Sequence, residues 1–201
     1  MSESEKNQRH KERMQRKKAL IDASIERADK EKGLLLVLTG NGKGKSSSAF
    51  GMVARAVGHG MKVGVTQFIK SRTDTGEEAF FSKLPQVDWH VLGDGFTWDT
   101  QDRAQDIATS ERGWAVAEQM LADPSYHLVV LDELTYLLSY NYLDSERVLA
   151  ALENRPPMQH VVVTGRAASA ELCDLADTVS EIKDIKHAYQ AGIQAQKGID
   201  L

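Results

Sequence analysis

Cysteine is almost missing from this chain: Cys173 stands alone among 201 residues. That excludes an intramolecular disulfide and a multi-cysteine metal site, and it suits a reducing compartment. No apolar run approaches the length of a membrane span. The first residues are charged, so the apolar core of a secretory signal is absent as well. An excess of positive charge is lacking: the formal net charge is −4, which weighs against a basic nucleic-acid-binding surface. The six histidines follow no H-x-x-H or H-E-x-x-H spacing, which weighs against a protein-held zinc or iron site. Internal repeats and low-complexity tracts are also absent. The expectation is a cytoplasmic protein that engages neither membrane nor nucleic acid. Its apolar content of 41% is enough for one α/β domain with an appendage.

The appendage is residues 1–32. Lys and Arg outnumber Asp and Glu there, and neither Pro nor Gly occurs before Gly33. The pattern predicts disorder at first and a helix from about Glu12 to Lys30. Met14, Ile21, Ile25 and Ala28 would form one thin apolar stripe. Such a stripe is either a solvated face or a docking surface for a partner subunit or ligand.

Residues 33–201 alternate strand and helix. Strands are predicted over 34–38, 63–69, 87–92, 128–131, 160–164 and 177–182. Helices are predicted over 45–57, 103–121, 145–153 and 168–175, with a loop carrying Arg72, Asp74, Gly76 and Glu77. Repeated strand–helix–strand order implies a doubly wound, mostly parallel sheet with right-handed crossovers.

The first strand ends in chemistry. The apolar run Leu34–Leu38 passes into Thr39-Gly40-Asn41-Gly42-Lys43-Gly44-Lys45-Ser46-Ser47. This is a phosphate-binding loop: successive backbone N–H groups form an anion nest, and the following helix adds positive potential. Lys45 would reach a terminal phosphate and the Ser46 hydroxyl would sit on Mg²⁺. Lys43 adds a second cation. One position departs from G-x-x-x-x-G-K-[ST], because Thr39 stands where the first Gly belongs. Residues 40–47 are therefore the candidate ATP contacts.

A second signal is Leu128-Val129-Val130-Leu131-Asp132-Glu133, an apolar strand ending in paired carboxylates. Asp132 and Glu133 are candidate Mg²⁺ ligands opposite Ser46. Ligands of such sheets bind at the carboxyl ends of the strands, where both motifs sit. Gln67, Lys70, Asp99, Arg103, Thr164 and Arg166 follow other strands; each is either a contact to phosphates or a second substrate, or an ordinary polar loop residue. Phe96 and Trp98 share one side of an extended segment. They either pack on the core or wall a flat apolar ligand. The polar tail beginning at Lys186-His187 either folds over the nucleotide base or is plain surface. On residues alone the chain is a Mg-nucleotide α/β protein. A phosphate-loop NTPase or kinase, with Glu133 activating water or a hydroxyl, and a non-catalytic nucleotide switch both remain open.

Several pieces together are more specific. Arg55-Ala-Val-Gly-His-Gly, Gln67-Phe-Ile-Lys, Gly95-Phe-Thr-Trp-Asp-Thr, Val130-Leu-Asp-Glu-Leu-Thr-Tyr, Val163-Thr-Gly-Arg, Ala176-Asp-Thr-Val-Ser-Glu and the tail from Ile185 to Asp200 join the phosphate loop in order. The set resembles the ATP:corrinoid adenosyltransferases of the CobA/BtuR type over residues 30–201. Ser46 and Ser47 replace the family's usual threonines and keep the hydroxyls. The resemblance implies a P-loop NTPase (RecA-like) fold and transfer of the 5′-deoxyadenosyl group of ATP to Co(I) of a corrinoid. The corrinoid would be cobalamin or cob(I)yrinic acid a,c-diamide, and triphosphate would leave. It implies that Phe96 and Trp98 take the lower corrin face as catalytic residues with Lys45, and that Arg55 joins the ATP contacts. It further implies Mg²⁺ with ATP, a flavoprotein reductase as electron donor, and a homodimer whose N-terminal helix closes over the partner's corrinoid site.

Overall fold

The computed structural model describes residues 2–69, 75–93 and 102–200. The chain divides into two compact units between Lys32 and Gly33. The first holds helix α1 (Glu3–Arg27), none of whose residues is buried. Its start differs from the expected Glu12, and the cause is local. Ser2 accepts the Glu5 N–H while Glu5 accepts the Ser2 N–H, a capping box that satisfies two otherwise orphaned donors. Met14, Leu20, Ile21 and Ile25 remain exposed along it.

The second unit is one six-stranded sheet. Its strands are β1 (Leu35–Thr39), β2 (Val63–Gln67), β3 (Val87–Val91), β4 (Leu128–Asp132), β5 (His160–Thr164) and β6 (Thr178–Glu181). They lie in the order β3-β2-β4-β5-β1-β6, and every pairing is parallel. β5 therefore separates the phosphate-loop strand β1 from the carboxylate strand β4. The fold is a doubly wound α/β architecture with the phosphate-binding loop between β1 and the helix that follows it, as the sequence predicts.

Both faces of the sheet are covered, which is why the strands read as unbroken apolar runs rather than alternating ones. Leu35, Val37, Val129, Leu131, Val161 and Val163 point to one face. There they meet α4 (Arg103–Ala122), α5 (Leu134–Ser139), α6 (Ser145–Glu153) and α7 (Ala170–Leu175). Leu38, Val63, Val65, Leu128, Val130 and Val162 point to the other. They meet α2 (Lys45–Gly58) and α3 (Gly76–Phe81), whose Phe81 ring stacks on Trp89. Helices α3 and α5, of six residues each, span less than two turns, too few for a helical period to show in the sequence. The packed interior ends at the carboxyl edge, where five strand tips place polar residues together.

Candidate active site

The phosphate loop is shaped by its glycines and by the chain beyond β6. Gly40 has φ +98°, and a Cβ there would stand 2.4 Å from the Ile182 carbonyl oxygen. Only glycine tolerates both conditions. The Gly42 N–H donates to Ile182 O (2.7 Å) and the Ile182 N–H to Thr39 O (2.8 Å), stapling the loop to the tail. Thr39, the departure from the loop pattern, has its own use. Its hydroxyl accepts the Ala168 N–H (3.2 Å) and ties β1 to the turn after β5. Lys45 opens α2, is buried, and donates from Nζ to Gly42 O (2.8 Å). Desolvation pulls its ammonium pKa below the ordinary lysine value; the Glu133 carboxylate partly restores it, and Arg166 lowers it further.

The carboxylate pair divides its work. Asp132 is fully buried and accepts the Gln67 side-chain amide (2.9 Å) and the Thr164 hydroxyl (2.7 Å). The Thr164 oxygen in turn accepts the Glu133 N–H (3.0 Å). Glu133 takes a left-handed backbone, φ +64°, an uncommon state for a non-glycine residue and typical of functional sites. That turn aims its side chain at a cavity of about 320 Å³ at the loop. The cavity is lined by residues 41–47, Glu77, Glu133, Tyr136, Arg166 and, from the tail, His187, Ile199 and Asp200. Its lining combines the loop backbone and the cations Lys43, Lys45 and Arg166, which suit a polyphosphate, with the carboxylates of Glu77, Glu133 and Asp200.

The sequence candidates thus separate. Asn41, Gly42, Lys43, Gly44, Lys45, Ser46, Ser47 and Glu133 meet on one cavity, joined by Arg166. Asp132 does not line it; its oxygens serve Gln67 and Thr164, so it positions its neighbour rather than facing the cavity. Gln67 and Thr164, read as either ligand contacts or ordinary polar loop residues, both donate to Asp132. Arg55 lies in the last turn of α2, away from the loop. It lines a separate cavity with Met52, His59, Met61 and His160. Phe96, Trp98, Lys70 and Asp99 fall outside the described residues. Tyr136 went unrecognised; its signal was its place one turn beyond the carboxylate pair. Glu77 was read only as a loop residue.

The donor set suits magnesium. The Ser46 hydroxyl and the Glu133 carboxylate are hard oxygen donors on one cavity. Among the described residues no group of three or more His, Cys, Asp or Glu could cage a metal. Mg²⁺ is commonly held by one or two protein oxygens, with phosphates and water completing its shell.

Comparison with known proteins adds a second line of support. Residues 31–201 match the family model of ATP:corrinoid adenosyltransferase BtuR/CobO/CobP, and residues 1–25 match that of the cob(I)alamin adenosyltransferase N terminal. The chain is 62% identical over 203 residues to a corrinoid adenosyltransferase of Pseudomonas aeruginosa, covering 100% of both chains. It is 48% identical over 194 residues to the corrinoid adenosyltransferase of Escherichia coli K12 and to corrinoid adenosyltransferase CobA of Salmonella typhimurium. Each alignment spans 96% of this chain and 98% of the relative.

Proposed function

The chain belongs to the family of ATP:corrinoid adenosyltransferases, and we propose that it moves the 5′-deoxyadenosyl group of ATP onto Co(I) of a corrinoid, cobalamin or cob(I)yrinic acid a,c-diamide. Co(I) attacks C5′ of the ribose, the cobalt–carbon bond forms, and the C5′–oxygen bond breaks with its electron pair leaving on triphosphate. The observation that carries this reading is one cavity that joins the phosphate loop, Lys45 and Glu133 in a chain of this family.

No protein nucleophile is required, because the corrinoid supplies the electron pair. What the chain supplies is charge and position. Lys45 and the loop N–H groups stabilise negative charge as it develops on the leaving triphosphate. Lys45 is held ready by its bond to Gly42 O, so little reorganisation is needed at the moment of transfer. Mg²⁺ bound through Ser46 and Glu133 would neutralise part of the same charge. Thr164 and Asp132 hold Glu133 in its turn. Phe96 and Trp98 complete the site in this reading by covering the lower corrin face and displacing its axial ligand, which makes Co(II) easier to reduce by a flavoprotein reductase. The catalytic form in this reading is a homodimer. Mg-ATP and chemically prepared cob(I)alamin, mixed without oxygen, test the proposal: absorbance should report cobalt–carbon bond formation at a rate linear in enzyme. An unaltered Co(I) spectrum with active, folded protein would refute it.

A further inference from the structure

The phosphate cavity already contains an anion, and it comes from the chain's own tail. Asp200 Oδ1 sits 2.7 Å from Lys43 Nζ, and both residues line the cavity. The carboxylate is not a swinging surface group. Its other oxygen accepts the Gln196 N–H (2.9 Å), and the Asp200 N–H returns to Gln196 O (2.8 Å), a closed turn that presents it to the loop. The acid is held below the ordinary carboxylate range first by that backbone N–H and then by Lys43. Lys45 is engaged differently, on Gly42 O inside the loop. The two loop lysines are therefore not equivalent: one rests on the loop's own backbone, the other on a carboxylate.

A polyanion entering this cavity meets Asp200 twice. It competes for the same ammonium, and it brings like charge close to the carboxylate. We propose that Asp200 is a positioning residue that acts through Lys43: it holds Lys43 while the phosphate site is empty, yields it to triphosphate, and retakes it as that product leaves. Neither interaction needs to be strong. Both side chains of the pair are partly exposed, and such pairs are worth little individually. That suits a contact that must exchange in every turnover. The inference rests on the triphosphate reading of the site.

The test is calorimetric binding of inorganic triphosphate, with magnesium, to five proteins: wild type, Asp200→Asn, Asp200→Glu, Lys43→Gln and the Lys43→Gln/Asp200→Asn double variant. Asp200→Asn should bind about two- to fivefold tighter than wild type. Asp200→Glu should bind like wild type, because the carboxylate is restored. In the Lys43→Gln background the gain from Asp200→Asn should shrink to the smaller part left by like-charge repulsion, which neither a structural role nor repulsion alone produces. Unchanged or weaker binding by Asp200→Asn overturns the inference, as does the same gain persisting without Lys43. Failure of all five folded proteins to bind triphosphate overturns the phosphate-site reading and the inference with it.

Discussion

At the amino edge of the sheet, polar side chains bond mainly to the backbone; at the carboxyl edge, Gln67, Asp132 and Thr164 bond to each other. The Gln159 amide donates to the carbonyls of Met120, Asp123 and Tyr126. Arg155 donates to the carbonyls of Gly33, Leu152 and Gln159, and Asp177 accepts the Leu35 N–H. These bonds complete the ladder where chain enters the strands. At the other edge Gln67, Asp132 and Thr164 form a side-chain network whose product is the orientation of Glu133. Lys45, Lys43 and Arg166 face the same cavity. Polar side chains therefore play two parts in one sheet, and their relation to the cavity distinguishes them. Those that only complete the backbone ladder carry stability, and those that line the cavity or orient a residue facing it carry function.

Substitutions can break this contrast. The largest effect is expected for Lys45→Ala, which removes the buried cation of the loop. Turnover should fall at least about 10²-fold, as for loss of one preorganised charge-stabilising donor. The melting temperature should hold, because burying an ammonium costs stability. Anaerobic kinetics and a thermal melt check both halves. Thr164→Val comes next. It keeps the shape but removes the donor to Asp132 and the acceptor of the Glu133 N–H. It should cost about 1–3 kcal/mol of stability and about 10–100-fold in turnover. Gln159→Leu is its counterpart at the amino edge. It should cost a similar 1–3 kcal/mol while turnover per folded molecule stays at the wild-type level. Equal kinetic losses for Thr164→Val and Gln159→Leu would erase the distinction between the edges.

The smallest effect is in pH. Lys45 titrates below its ordinary value of 10.5 because it is desolvated. The folded state therefore binds this proton less tightly than the unfolded chain. Its destabilising contribution is complete below the lowered pKa and is relieved as pH rises towards 10.5. Phosphate binding needs the charged form, so triphosphate affinity should decline through that same window. The Lys45→Arg variant should lack this decline. Affinity of wild type that holds constant to pH 10.5 would contradict the assignment.

Much of this edge was legible in the chain. Apolar runs ending in a Gly/Lys loop and in Asp132-Glu133 marked two strand tips, and parallel order placed them on one edge. The division of labour between the two acids was not legible, because it depends on strand order. β4 lies between β2 and β5, which brings Gln67 and Thr164 onto Asp132 from either side. No local pattern encodes that juxtaposition. The start of α1 was legible but unread: Ser2 followed by Glu5 is a capping signature. Arg55 was assigned by motif, and a helix of 14 residues carried it away from the loop that opens it.

The most direct test of the whole account is the phosphate product. Phosphorus NMR of an anaerobic turnover mixture of enzyme, Mg-ATP and cob(I)alamin should show one intact triphosphate for each cobalt–carbon bond formed. That result identifies triphosphate as the leaving group and C5′ as the carbon attacked. Accumulation of ADP and inorganic phosphate without cobalt–carbon bonds would contradict it, and would make this site that of a phosphate-loop hydrolase.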